Sequence, residues 1–405
     1  MNLAFHIARR YLFSKKSHNA INIISMVSVF GVAAATIAMV CTLSVFNGFQ
    51  DLLTGLYKNF EPELKIRAFE GKTFRLNSDF DLIRAHKEVA VFCESLEENA
   101  LIRYKGSQAS ALVKGVSDNF SELANMDSLI YAGKFVLEEE GFQFASIGIG
   151  LASLLGTGSS FIDPVTLYAP KRTGSLNPLN PASAFKTRRI LLTATFGIDQ
   201  PEYDDRIIIV PLNFARELFE YTDELSSVEL KLKKGANLQR VKEEFRQLLG
   251  PDFSVEDLKE QKADIYRINR VEKWITYLIL CFILLIALFN VIGSLSMLIL
   301  EKKQDAGILK RLGANHKTIR KVFLYEGVMI AFLGAFSGIL LGVLLCLIQQ
   351  HFGLLKLGSG NFIVGSYPVL VKASDLFFIL LTVLAVSLPS VWWPVHYYFK
   401  NDELP

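Results

Sequence analysis

Charge is missing from four long stretches of this sequence. Asn19 to Gln50, Trp274 to Leu300, Gly327 to Gln350 and Leu376 to Phe399 contain no Lys, Arg, Asp or Glu. Each is longer than the roughly 20 apolar residues that cross a bilayer core, and one Lys at a span centre would cost about 2.5–3.5 kcal/mol on insertion scales. A wholly soluble chain is excluded, in keeping with 51% hydrophobic residues and a mean hydropathy of +0.32. The same absence argues against proton- or ion-coupled transport, which normally needs ionisable groups inside the membrane. Cysteine is also scarce. Cys41, Cys281 and Cys346 fall in the apolar runs, leaving Cys93 alone between the first two, so no disulfide can form there. No Cys/His pattern has metal-ligand spacing, and the six histidines are scattered, with His86 alone between the first two runs.

Catalytic and nucleotide motifs are missing as well. The chain has no G-x-x-x-x-G-K-[ST], no H-E-x-x-H and no G-x-S-x-G. Gly148-x-Gly150 lacks the third glycine of a dinucleotide fingerprint. Asp204 and Asp205 read as a solvated carboxylate pair in a turn. A non-catalytic transmembrane protein is expected, with no cofactor of its own, no metal and no nucleic-acid partner.

What is present is an asymmetric charge distribution behind a net charge of only +3. Arg9, Arg10, Lys15 and Lys16 precede the first run, and seven Lys or Arg residues lie from Lys302 to Lys321, whereas only Lys356 and Lys372 separate the last two runs. The positive-inside rule places both termini and the 301–325 connection in the cytoplasm. The long segment after the first run then lies outside and is large enough to bury its own core. The first run is too long for a signal-peptide h-region of about 7–15 residues, so cleavage is not expected.

The expected fold is four transmembrane α-helices with a large α+β extracytoplasmic domain between the first and second. In detail, this places an amphipathic cytoplasmic helix over 1–18, a first span over 19–49, the external domain over 50–270 and a second span over 271–300. A cytoplasmic connection over 301–325, a third span over 326–350, a short external loop over 351–373, a fourth span over 374–399 and a tail over 400–405 complete the chain.

Within the domain, period-2 alternation predicts strands over Leu64–Phe69, Ala100–Tyr104, Ser110–Val116, Arg188–Phe196, Arg206–Val210, Ser227–Leu232 and Phe253–Leu258. Helical spacing is read over Asp79–Val89, Ser146–Leu155, Asn213–Tyr221 and Asn237–Leu249, giving an α+β sandwich. Pro164, Pro170, Pro178 and Pro181 mark Asp163–Ala184 as a turn-rich excursion. Ile265 to Arg270 is expected to run into the second span as one helix.

In the 301–325 connection, Ala306, Leu309 and Leu312 recur beside Lys302, Asp305 and Lys310, an amphipathic helix with Gly313 at its stop and Asn315 capping the next one. Its face reads as a docking surface carried by Lys302, Asp305, Leu309, Lys310, Arg311, Leu312 and Gly313. Gly31, Ala34, Ala35 and Ala38 in the first span, and Gly334, Gly338 and Gly342 in the third, have the spacing that lets helices approach closely. Pro389 and Pro394 predict a kink in the fourth.

Four spans, a large domain after the first and a basic helix between the second and third resemble the MacB/FtsX-type permeases of ABC transporters. Ala8–Lys16 (ARRYLFSKK), Asn22–Phe49, Asp305–Ala314 (DAGILKRLGA) and the VFLYEG before the third span are most similar to the Lol-type lipoprotein-releasing permease subunits, the LolC/LolE family. The C-terminal tail departs from the family pattern, having aromatic residues and no arginine.

The resemblance implies an inner-membrane protein of a Gram-negative bacterium. It implies a cytosolic ABC ATPase subunit that holds ATP and Mg and receives the 301–312 helix, and a second permease subunit, identical or paralogous. It further implies a lipoprotein substrate in a cavity carried by position onto Met26, Val29, Phe30, Val40, Leu43 and Phe46, with Ile283, Ala287 and Asn290 opposite. A periplasmic lipoprotein carrier would be recruited by a loop corresponding to Leu176, Asn177, Pro178, Leu179, Asn180 and Pro181. An FtsX-type regulator that transmits ATPase state to a cell-wall hydrolase, and a membrane-tethered enzyme, are the alternatives.

Overall fold

The uncharged runs fold as helices that outlast them, because nothing in the flanking sequence breaks the backbone pattern. In the computed structural model, which describes residues 3–13, 19–157, 163–172, 184–356 and 366–400, the first membrane helix is Asn19–Lys58 and the second Ala263–Glu301. The third is His316–Phe352 and the fourth Ala373–Lys400, which continues through Pro389 and Pro394. The first therefore runs past residue 49, and the second starts before 271. All four are long and apolar enough to cross a membrane. Spatially the chain forms two units, residues 1–52 with 267–405, and residues 53–266.

In the membrane unit, helices meet through close backbone approach, since lipid supplies no hydrophobic drive to bring them together. A side chain at Gly338 of the third helix would lie 2.6 Å from Thr36 Cβ and 2.7 Å from the Ala33 carbonyl oxygen of the first. Gly334 faces Val32, and Gly342 faces Val40, in the same way. The matching ridge on the first helix is thus Val32, Ala33, Thr36 and Val40. Gly31 and Ala34 do not serve this contact: Gly31 has open space beside it, and Ala34 is exposed. The N-terminal helix Leu3–Phe13 buries Ala4 and Ala8 against Val322 of the third helix, with Leu3 and Phe5 turned outward.

The 53–266 unit is built on one sheet. Its strands are β1 (Leu64–Ala68), β2 (Val89–Tyr104), β3 (Ser107–Val116), β4 (Ile130–Gly133), β5 (Glu138–Glu139), β6 (Phe142–Gly148), β7 (Val165–Pro170), β8 (Phe185–Phe196), β9 (Ile207–Pro211), β10 (Ser227–Leu232) and β11 (Phe253–Asp257). The order is β11-β1-β10-β2-β3-β9-β6-β8-β4, with β5 on β6 and β7 pairing both β2 and β8. The path β2-β3-β9-β6-β8-β7 therefore returns to β2 and closes on itself. This replaces the expected sandwich, and closure leaves few free edges. Pairing is antiparallel except β3 with β9 and β6 with β8.

Register follows from the β2–β3 hairpin, whose two-residue turn at Lys105–Gly106 sets Tyr104 opposite Ser107 and places Ile102 and Val113 in the core. Helices Leu212–Phe219 and Leu238–Leu249 bury Phe214, Leu218, Val241 and Phe245 in that core. Asn237 caps the latter helix by accepting from the Arg240 N–H at 3.2 Å.

Three local expectations change. Val165–Pro170 is a strand inside the proline-marked excursion, because Pro170 sits at its last position, where a missing N–H is tolerated. Ser146–Gly148 belongs to β6, and the helix begins only at Ile149. The helix expected over 79–89 is Ser78–Arg84, and Val89 opens β2. Gly148 and Gly150 lie against Asp204 and Asp205, so their lack of side chains serves packing.

Candidate functional site

The connection between the second and third membrane helices is a helix in its own right. The chain breaks at Lys302, restarts as Lys303–Arg311, and stops at Gly313 in the left-handed region (φ +92°). There the Gly313 N–H donates to the Lys310 carbonyl (3.0 Å) and the Ala314 N–H to that of Leu309 (2.9 Å), closing the orphan carbonyls of the last turn. Asn315 then caps the third membrane helix.

One face of this helix holds it to the membrane unit: Ala306 is buried and Leu309 packs against the same core. Lys302 and Asp305 pair with each other at 3.1 Å, and the Lys302 ammonium lies 5.2 Å from the Tyr11 ring centroid. The opposite face exposes Ile308 (56%) and Leu312 (78%) beside exposed Lys310 and Arg311. The expected stripe of Ala306, Leu309 and Leu312 is thus divided. Ile308, absent from the expected surface, replaces Leu309 on the free side. The i,i+4 spacing of Ile308 and Leu312 was the available signal. Two large apolar side chains ringed by cations form a knob able to enter an apolar groove with an acidic rim. No side chain meets Gly307 within 4 Å.

The positions assigned to a lipoprotein cavity separate into two groups. Met26 (73% exposed) and Phe30 (76%) stand outward on the first helix, and Ile283 and Asn290 are exposed on the second. Val29, Phe46 and Ala287 are partly buried. Val40 and Leu43 are core residues, Val40 being held against Gly342. Val40 cannot line an open cavity while the first and third helices are packed, whereas Leu43 faces a space between the second and fourth helices. Ser28 Oγ donates to the Asn290 carbonyl at 3.2 Å, bringing the first two helices together beside Met26 and Phe30. Leu176 to Pro181 lie outside the described residues.

Sequence reasoning missed three polar features. Glu326 of the third helix is 1% exposed, and its Oε2 has no hydrogen-bond partner among the described residues, so a membrane helix does bury a carboxyl group. Lys273 joins the first, second and fourth helices through Asn47 Oδ1 (2.9 Å) and Asp375 Oδ2 (3.1 Å), and Asn47 Nδ2 donates to Asp375 Oδ2 (2.7 Å).

In the 53–266 unit, Lys114 reaches Glu229 (2.7 Å) and Glu97 (3.1 Å), with Lys65 reaching the same two carboxylates. Burial would push the Lys114 pKa down, but Glu229, Glu97 and Glu61 hold it well above the usual lysine range. Burial likewise opposes ionisation of Glu97, yet Lys65 and Lys114 keep it well below the carboxylate range. Asp204 is buried and accepts the backbone N–H groups of Ile198 (2.8 Å) and Gln200 (3.1 Å), so it shapes a turn and is not solvated. Cys93 is fully buried, and burial foremost, then Glu229, pushes its thiol up to about 12, leaving it little thiolate.

Four helices long and apolar enough to cross a membrane, with an α+β domain between the first two in sequence, give a multipass membrane architecture, and residues 277–402 match the FtsX-like permease C-terminal family. Over nearly the full chain the sequence is similar to "Lipoprotein-releasing system transmembrane protein LolC" of Neisseria meningitidis serogroup B, at 24% identity over 398 residues, covering 96% of this chain and 94% of that protein. The LolE protein of Haemophilus influenzae is 23% identical over 413 residues, covering 97% and 96%. Among solved structures, the periplasmic region of MacB from Actinobacillus actinomycetemcomitans aligns at a TM-score of 0.39 and 10% identity, covering 54% of this chain and 98% of that one.

Proposed function

We propose that this chain is the transmembrane subunit of an ABC transporter of the LolC/LolE kind, which couples ATP hydrolysis by a separate ATPase subunit to release of lipoproteins from the inner membrane toward a periplasmic carrier. The observation that carries the reading is the end-to-end similarity to proteins named for lipoprotein release. It includes the connection in which the structure has the exposed Ile308–Leu312 knob.

In this reading both termini and the 301–325 connection are cytoplasmic, and the 50–270 domain is periplasmic. The ATPase binds ATP and Mg. Its groove receives Ile308 and Leu312, with Lys310 and Arg311 on its acidic rim, while Ala306 and Leu309 pass the displacement to the membrane helices. Such division suits force transmission: one face of a short helix is fixed in its own core and the other is given to the partner. The lipoprotein's acyl chains lie against Met26, Phe30, Ile283 and Asn290. A second permease subunit, identical or paralogous, supplies the facing wall. Residues 176–181 are proposed to engage the carrier.

Reconstitution of the full chain with its ATPase in lipid vesicles containing an acylated lipoprotein tests the function. ATP-dependent release to a soluble acceptor is the expected result. Activation of a cell-wall hydrolase without release would instead establish a regulator, and turnover without nucleotide an enzyme.

A further inference from the structure

One cavity of the membrane unit has a composition that the transport reading does not use. About 290 Å³ in volume, it lies where Lys273 ties the first, second and fourth helices together. Its wall is one face of the second helix, Arg270, Lys273, Trp274 and Tyr277, at the i, i+3, i+4 and i+7 spacing that aligns side chains over two turns. Phe378 and Asp375 of the fourth helix stand opposite, and Leu43 closes the floor.

The polarity is graded along that face. Arg270 and Lys273 are at one end, and Trp274 and Tyr277, whose rings meet edge to face at 5.9 Å, follow at the start of the uncharged run. Tyr277 and Thr382 share a hydrogen bond that joins the second and fourth helices below them. The charges do not cancel. Asp375 is occupied by Lys273 and Asn47, whereas Arg270 is exposed and makes no ion pair among the described residues. Trp274 and Phe378 are each more than half exposed, presenting an open apolar side to lipid.

We propose that this cavity binds an anionic phospholipid, with the headgroup phosphate on the Arg270 guanidinium and the upper acyl chain between Trp274 and Phe378. A planar guanidinium matches phosphate oxygens in a way that an isolated ammonium does not, and Trp and Tyr belong at the level where headgroup meets chain. An acidic peptide would meet the cation but leave the apolar wall unused, and an uncharged lipid would leave Arg270 without a partner. The bound lipid fills the gap between the second and fourth helices beside the Lys273 junction. The inference does not depend on what the protein transports.

Trp274 is a built-in reporter, since the other two tryptophans are Trp392 and Trp393. In full-length protein carrying Trp392→Phe and Trp393→Phe, in phosphatidylcholine vesicles, brominated phosphatidylglycerol should quench Trp274 at about five-fold lower mole fraction than brominated phosphatidylcholine. That ratio corresponds to about 1 kcal/mol for one basic residue at an anionic lipid. Arg270→Gln should abolish the preference, and Arg270→Lys should keep part of it, which separates loss of charge from loss of fold. Equal quenching by the two lipids in the parent protein, or an unchanged preference in Arg270→Gln, overturns the proposal. Removal of the preference by millimolar inorganic phosphate would also overturn it, by identifying a site for free phosphate.

Discussion

The two units treat buried polarity in opposite ways. The 53–266 unit buries Lys114, Lys65 and Glu229 as a paired network inside a sheet whose strands already satisfy one another. In the membrane unit, the glycines of the third helix allow the first helix to touch backbone, and the buried Glu326 has an oxygen without a partner among the described residues. A water-facing domain has hydrophobic burial to draw on and can carry ion pairs whose desolvation is repaid only by close geometry. Helices in lipid have van der Waals contact and hydrogen bonds instead, so their stability is sensitive to volume.

The sharpest way to break this contrast is to remove one charge from the network. Lys114→Met should leave Glu229 and Glu97 short of a cation and destabilise the 53–266 unit by about 3–5 kcal/mol. Hydrogen–deuterium exchange of the β2, β3 and β10 peptides in the full-length protein reads it. Unchanged protection there would mean that the network contributes nothing. Combining Lys114→Met with Glu229→Leu should recover much of the loss, because no uncompensated charge then stays buried.

Volume is the corresponding lever in the membrane unit. Gly338→Val inserts methyl groups where a Cβ alone would lie within 3 Å of Thr36 and Ala33, and overpacking of this kind costs about 1–3 kcal/mol. A lowered midpoint for thermal aggregation in detergent is expected. Gly293→Ala, at a site with open space, should leave it in place.

Acid and base should act mainly on the 53–266 unit. The Glu97 and Glu61 pKa values are depressed in the folded state, so their contribution is complete above about pH 4.3 and is lost as pH falls through the lower folded values. Lys114 is raised; its contribution is present below about pH 10.4 and disappears as pH climbs through its folded value. Exchange protection of β2 and β3, corrected for intrinsic rates, should therefore fall at both extremes, and Glu97→Gln should flatten the acid side.

The smallest effect on stability, and the largest on coupling, belongs to the knob. Ile308→Ala with Leu312→Ala touches exposed side chains and should shift stability by no more than about 0.5 kcal/mol, while co-purification of the ATPase is lost. Lys310→Glu with Arg311→Glu should do the same. A full complement of bound ATPase in both variants would remove this helix from the coupling path.

Much of the fold could be read directly from residue order. Uninterrupted apolar runs allow nothing but membrane helices, strand alternation located β1, β3, β8, β9 and β10, and Gly313 marked the stop of the connecting helix and Asn315 the start of the next. Local chemistry decides such features, because each depends on neighbours within a few residues. β7 escaped because its flanking prolines read as turn signals, although it is held by partners about 15 to 25 residues away in β8 and more than 60 away in β2.

The candidate surfaces divide along the same line. Sequence alone placed a basic amphipathic helix between the second and third spans, since periodicity and charge are local properties. Only the tertiary structure decided which of its faces is free, retiring Leu309 in favour of Ile308. It likewise packed Val40 against Gly342 and brought Leu43, Arg270, Trp274 and Phe378 around a common space. Those outcomes depend on which helix packs against which, and helix pairing is set by surface complementarity between segments hundreds of residues apart, such as Thr36 and Gly338.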